Sequence, residues 1–188
     1  MTLSNKEKAR LYYQAVSRYE VPAVTSLVHP DYVQHNPRVP TGRAAFLALL
    51  PKLEAHASRI ENLHILQEGA FVAMHHLWHN AHAFGAPQML AFHVIRFDDE
   101  GLIAEHWSVM MPTPPDARPS VPEELIYERQ HKVLREGDLS LTISEGQHGG
   151  RASAIYDLRR GAEHWQIINE IPSGDVANQN TMFGFPDD

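Results

Sequence analysis

Two stretches of this chain recur in the same order, and they limit its fold more than any other feature. Leu66-Gln67-Glu68-Gly69 is matched by Leu134-Arg135-Glu136-Gly137, and Ala104-Glu105-His106-Trp107-Ser108-Val109 by Ala162-Glu163-His164-Trp165-Gln166-Ile167. Each Leu-x-Glu-Gly stands before a strand-like run, and each Glu-His-Trp lies in the last strand of a series. One such match is ordinary; two in the same order and setting predict a duplicated sheet unit. The copies are unequal, because nothing after Gly137 corresponds to the helical residues that open the chain.

Those opening residues predict three helices. Ala9, Leu11, Tyr12, Ala15 and Val16 recur at helical spacing over Asn5 to Tyr19, with Ser4 or Asn5 as cap. Val21 to Val28 reads as a short second helix with Pro22 in its first turn, stopping before His29-Pro30. Gly42 to Ala57 reads as a third, which Pro51 should kink or divide. Tyr32 to Pro37, between the last two, reads as extended or irregular. Strands are predicted over Asn62–Gln67, Phe71–Trp78, Gln88–Phe97 and Leu102–Met111, with Gly- and Asp-containing turns between them. Five prolines in Pro112 to Pro122 predict a linker. Strands resume over Leu125–Leu134, Leu139–Glu145, Ala152–Arg159 and Glu163–Ile171, and Met182, Phe183 and Phe185 are candidate anchors in the polar tail. The expected division is residues 1–112 as one domain, 113–123 as linker and 124–188 as a truncated repeat holding only the sheet half.

Composition narrows the partners. Lys and Arg total 16 against 23 Asp and Glu, a net charge of −7, with no basic stripe. That argues against nucleic acid and against an anionic membrane surface. No apolar run reaches the length of a membrane span, and the first residues do not form a secretory signal. The chain has no cysteine, which excludes disulfides and thiolate chemistry and suits a cytoplasmic setting. Histidine is abundant, 13 in all, either as surface residues or as the lining of a polar cavity.

Tyr32-Val33-Gln34-His35-Asn36-Pro37, Gly42, Glu68-Gly69, Phe92-His93-Val94-Ile95-Arg96-Phe97 and Glu105-His106-Trp107 together resemble the SnoaL-like polyketide cyclases of the nuclear transport factor 2 (cystatin-like) superfamily. The resemblance spans residues 5 to 112, and residues 124 to 185 resemble the C-terminal half of a second such domain. It implies an α+β fold: a cystatin-like cone of three N-terminal helices on a curved antiparallel sheet, followed by an additional antiparallel half-domain sheet. It also implies an apolar pocket under the helices, with His93, His106 and Ser108 on that side and His35 and Asn36 at its rim. Alternation along a strand puts His93 with Ile95, and His106 with Ser108, on common faces.

The cyclases to which the chain is similar use neither metal nor organic cofactor. A carboxylate in the last strand serves them as general acid/base, helped by a histidine on the neighbouring strand. His93 matches the helper, but the carboxylate position carries Ser108 in the first copy and Gln166 in the second. If the pocket is catalytic, a histidine has to be the base, so His93, His106 and Ser108 are the catalytic candidates. Tyr32, Gln34, His35, Asn36 and His75 are the residues expected to meet a ligand. The plainer alternative treats His93 and His106 as satisfied core residues and His35-Asn36-Pro37 as a turn brace. Two functional classes remain open. One is cofactor-free acid/base chemistry on a small apolar carbonyl compound, by aldol-type cyclisation, its reverse or isomerisation. The other is a hydrophobic-ligand-binding or structural and dimerisation module.

No metal site is expected. His75 and His79 share a strand face but stand about 13 Å apart along it, too far for one zinc ion. No Gly-x-Ser-x-Gly elbow surrounds Ser108, which weakens a hydrolase reading. The second sheet, lacking helices, needs cover for its open faces. It is expected to pack on residues 62–111 as an intramolecular pseudo-dimer, with a homodimer as the alternative, and Trp107 and Trp165 should lie at that junction.

Overall fold

The computed structural model describes residues 3–36, 39–113, 125–171 and 182–186. The proline-rich stretch 114–122, Pro37 and the tail residues 178–181 lie outside them. Helix α1 (Asn5–Ser17) opens on a capping box, in which the Glu7 amide donates to Ser4 Oγ and the Ser4 amide to the Glu7 carboxylate. Its buried side is Ala9, Tyr12, Tyr13, Ala15 and Val16. Helix α2 (Val21–Leu27) holds Pro22 in its first turn and gives way to strand β1 (Val28–Gln34) as His29-Pro30 turns the backbone extended.

Pro51 divides the expected third helix into α3 (Arg43–Leu47) and α4 (Leu50–Ala55). A proline ring inside a continuous helix would meet the carbonyl of Leu47, whereas in the first turn of α4 its missing N–H costs nothing. Strands β2 (Arg59–Glu68), β3 (Phe71–His79), β4 (Gln88–Phe97) and β5 (Ile103–Pro112) form consecutive antiparallel hairpins. The sheet order is β1-β5-β4-β3-β2, with β1 parallel to β5, so the five-stranded sheet is mixed. Strands β1 and β2 thus lie at opposite edges. The chain between them must cross the whole sheet, which is how α3 and α4 come to lie over one face.

A four-stranded antiparallel sheet follows: β6 (Leu125–Glu136), β7 (Leu139–His148), β8 (Arg151–Arg160) and β9 (Glu163–Glu170), in that order. Gly69 and Gly137, the glycines of the two Leu-x-Glu-Gly motifs, occupy the same two-residue turns with φ of 55° and 60°. A side chain there would be strained, which explains the glycine in both.

The first sheet is apolar on both sides. Helices cover one face, burying Tyr12, Val16, Phe46, Leu50 and Leu53 against Met74, Trp78, Ala91, Ile95 and Phe97. The second sheet covers the other, with Leu66, Phe71, Phe92, Val94, Trp107 and Val109 meeting Leu134, Leu141, Ile143, Tyr156, Leu158 and Ile167. Trp165 packs against this second core from its margin, and Met182 is buried in it. Phe185 stacks on Trp107 with ring centroids 4.4 Å apart. Glu136 pins the seam by accepting from Lys6 Nζ at 2.6 Å and from the Gln67 amide at 3.0 Å.

Leu141 is 1% exposed in the centre of this junction, so Leu141→Ala should destabilise the chain by about 2–5 kcal/mol in chemical denaturation. Removing residues 113–188 should leave a fragment that aggregates or dimerises in size-exclusion chromatography; a well-folded monomer would show that the second sheet is dispensable cover.

Candidate functional site

Under the helices, alternation along β4 and β5 turns His93, His106 and Ser108 inward, with His93 paired to Ser108 and Ile95 to His106. Strand β1 ends beside them, pairing Gln34 with His106 and bringing in Tyr32. Asn36, just beyond, donates from Nδ2 to Ser108 Oγ at 2.9 Å. Helix α1 contributes Tyr13, whose hydroxyl lies 3.2 Å from His106 Nε2, and β3 contributes Trp78.

The Trp78 indole selects one proton arrangement. The Trp78 indole can only donate, and it does so to His93 Nε2 at 3.3 Å. Neutral His93 therefore carries its proton on Nδ1 and donates to His106 Nε2 at 2.9 Å. His106 in turn carries its proton on Nδ1, where it donates to Tyr32 Oη at 2.8 Å. Gln34 Nε2 also lies 3.2 Å from His106 Nδ1, but it donates to the nearer Tyr32 oxygen at 2.9 Å, which leaves the Nδ1 proton to Tyr32. The result is a directed relay, Trp78 to His93 to His106 to Tyr32, inside the core.

Burial sets the charge of the relay. It pushes His106 and His76 down to about 3, with neighbouring imidazoles adding to the effect, and holds His93 well below its usual range for the same reasons. It also raises Tyr13 and Tyr32 well above the ordinary phenol range. At neutral pH all these groups are uncharged. An imidazole whose conjugate acid titrates near 3 is a poor base for a C–H proton.

The space beside the relay is small. Tyr12, Tyr13, Phe46, Trp78, His93, His106 and Ser108 surround a cavity of about 30 Å³, room for about one water. Val39, Phe84 and Met110 separate it from an outer chamber of about 200 Å³ that Asn36, Met89 and Asn169 of β9 also line. Ser108 lines the inner cavity, and its partner Asn36 lines the outer chamber. The Ser108 oxygen accepts from Asn36, and among the described residues its hydroxyl donates to none, so that proton is left for an occupant.

Two expected ligand contacts lie elsewhere. His35 sits on the opposite face, stacked on Trp107 at 4.4 Å and bonded through Nε2 to Glu105 Oε2 at 2.9 Å, while Arg96 holds the same carboxylate. His75 also faces outward, 3.2 Å from His64 Nδ1 and with its ring 4.6 Å from Phe92. The reason is strand alternation: His76, not His75, shares the inner face with Met74 and Trp78. Burial lowers His75 to about 3. Tyr13, Trp78 and His76 were not among the expected site residues. The inward assignment of His93, paired with Met74 across the strands, would have pointed to Trp78 and His76 through the period of two.

In the second sheet, Asp157 pairs with Gln166 as His93 pairs with Ser108. Its buried carboxylate accepts from Tyr127 at 2.8 Å and Gln166 at 2.7 Å and lies 2.6 Å from His164 Nε2. Arg129, Thr142, Ser144 and Arg159 flank it on a face open to solvent. Among the described residues no three His, Asp or Glu side chains converge as metal ligands, and no helix is long and apolar enough to cross a membrane.

The chain belongs to the SnoaL-like domain family, which it matches over residues 9–106. Solved structures carry the same fold. A cystatin-fold protein from Novosphingobium aromaticivorans is 20% identical, with a TM-score of 0.51 over 57% of this chain and 99% of that one. A candidate ketosteroid isomerase from Kribbella flavida is 18% identical, with a TM-score of 0.51 over 64% and 91%. IdmH of Streptomyces antibioticus, a candidate polyketide cyclase, is 22% identical, with a TM-score of 0.47 over 57% and 92%. No curated protein matches the chain in sequence.

The buried histidines predict a pH dependence. His75, His76, His93 and His106 all titrate lower in the folded chain than in the unfolded one. Stability is therefore complete above about pH 6.5 and is lost as the pH falls toward 3, because the unfolded chain binds protons that the folded one refuses. Unfolding at about pH 5 should take up roughly four protons, measurable from calorimetry in buffers of different ionisation enthalpy. Uptake near zero would mean that the rings are open to water. Trp78→Phe removes the donor that selects the tautomers, so the imidazole nitrogen shifts of His93 and His106 should move toward a mixture.

Proposed function

We propose that this chain binds a small, largely apolar carbonyl compound without transforming it. The apolar part lies in the outer chamber, and the carbonyl oxygen receives the Ser108 hydroxyl proton. The observation that carries this reading is the pairing of Ser108, which lines the inner cavity, with Asn36, which lines the outer chamber, beside imidazoles that are neutral and already bonded to one another. Among the described residues no carboxylate lines either space. A hydroxyl donor held by an amide suits recognition of a carbonyl, and the surrounding Val39, Phe84, Met89 and Met110 suit an apolar body.

An acid/base enzyme is the second reading. The 2.9 Å contact between His93 and His106 favours it, because the relay links the cavity to Tyr32 and offers a route for a proton. The solved relative from Kribbella flavida that is described as a candidate isomerase supports this reading.

Residues 124–188 are read as a truncated second copy that substitutes for a partner subunit. The matched turns at Gly69 and Gly137 and the matched pairs His93–Ser108 and Asp157–Gln166 support this. The cysteine-free composition supports a cytoplasmic setting.

Titration with cyclohexanone and longer cyclic ketones, followed by amide NMR, should move Asn36, Ser108 and Met110. Ser108→Ala should weaken binding by roughly tenfold. Deuterium exchange at the carbon next to the ketone should proceed at the buffer rate. Enhanced exchange that His93→Gln abolishes would establish the enzyme reading instead, and a panel in which nothing binds would rule out both.

A further inference from the structure

A second cleft, separate from the histidine cavity, lies between α1 and the edge strand β2. Lys6 bonds to Gln67 near one end of the pair and Ser17 to Ile60 at the other, so helix and strand run antiparallel side by side. Between those anchor points they diverge around a space of about 220 Å³. The divergence coincides with a register shift in β2 between Asn62 and His64, a bulge that bends the edge strand.

The walls differ in chemistry. Arg10, Gln14 and Arg18 project from α1 at helical spacing, and Asn62 faces them from β2. All four are exposed. Ser17 Oγ accepts from the Ile60 amide and keeps its own proton. Among the described residues no acidic side chain lines the cleft, in a chain whose net charge is −7. Arg10 feels Glu7 and Glu136 at longer range, yet among the described residues neither Arg10 nor Arg18 forms an ion pair within 4.0 Å. The floor is apolar: Tyr13, Ile60 and Met74.

At the back stands His76. It is 1% exposed and lines the cleft, and among the described residues it makes no hydrogen bond; its Nδ1 is buried without a partner. Donors at the rim of an apolar floor suit one kind of occupant.

We propose that this cleft binds a small organic anion, a carboxylate on a short apolar stem. The carboxylate is held by Arg10 or Arg18, with Gln14 and Asn62 as further donors, and the stem lies on Tyr13, Ile60 and Met74. Guanidinium groups suit this task because their planar donors match a carboxylate in two bonds at once. Tyr13 is the partition between this cleft and the histidine cavity, since it lines both. The site does not depend on what the histidine cavity binds.

The test uses the full chain with hexanoate, 1-hexanol and inorganic phosphate as probes. Hexanoate at millimolar concentration should saturate and shift the side-chain nitrogen signals of Arg10, Arg18 and Asn62. The double variant R10Q/R18Q changes only exposed residues, and its melting curve establishes that it is folded. It should bind hexanoate about ten- to hundredfold more weakly. Hexanol should not bind measurably. Phosphate binding as tightly as hexanoate would overturn the apolar stem and leave an inorganic-anion site. Failure of hexanoate to bind, equal binding by hexanol, or an unchanged affinity in folded R10Q/R18Q would overturn the proposal.

Discussion

A sheet that is apolar on both faces must be covered twice, and the architecture of this chain follows from that requirement. Each strand of β3, β4 and β5 sends one set of large side chains toward the helices and another toward the second sheet. At about 25 cal/mol per Å² of apolar surface removed from water, leaving either face bare would cost more than the few kcal/mol by which domains are stable. The crossing path of α3 and α4 answers the first demand, and β6 to β9 answer the second.

Covering the first face so completely has consequences for chemistry. Tyr12, Tyr13 and Phe46 fill most of the space beneath the helices and leave about 30 Å³ beside His93 and His106. The imidazoles can exist there only as neutral, mutually satisfied groups, because a charged ring would lose its hydration without gaining a carboxylate partner. Their hydrogen bonds run in one direction because the first donor is an indole that cannot accept. The same burial that makes the relay orderly makes it a weak base.

The second sheet meets the opposite problem. Among the described residues no helix lies over its outer face, and that face is polar. Asp157, His164, Gln166 and Tyr127 bond to one another where the first sheet places aromatic and imidazole groups under cover. A buried carboxylate with three partners at the centre and Arg129 and Arg159 beside it presents a surface that water can solvate. The sheet therefore spends its apolar side on the junction alone.

Much of this was legible in the order of residues. The four hairpin strands, the glycine turns, the proline that divides the third helix and the α+β class follow from local rules: period two, turn chemistry and the geometry of proline. Period two also put His106 and Ser108 on one face, but it was the resemblance to the SnoaL-like cyclases that turned that face, with His93, toward the helices. The parallel pairing of β1 with β5 was not legible, because it depends on how far α3 and α4 carry the chain across the sheet. Nor was the placement of His35 and His75 on the outer face. Tandem histidines look alike in sequence, and only the register of neighbouring strands decides which of two adjacent rings faces the helices. The size of the inner cavity, the neutral relay and the arginine-lined cleft likewise came from tertiary packing, since burial, distance and partnership belong to groups brought together from remote parts of the chain.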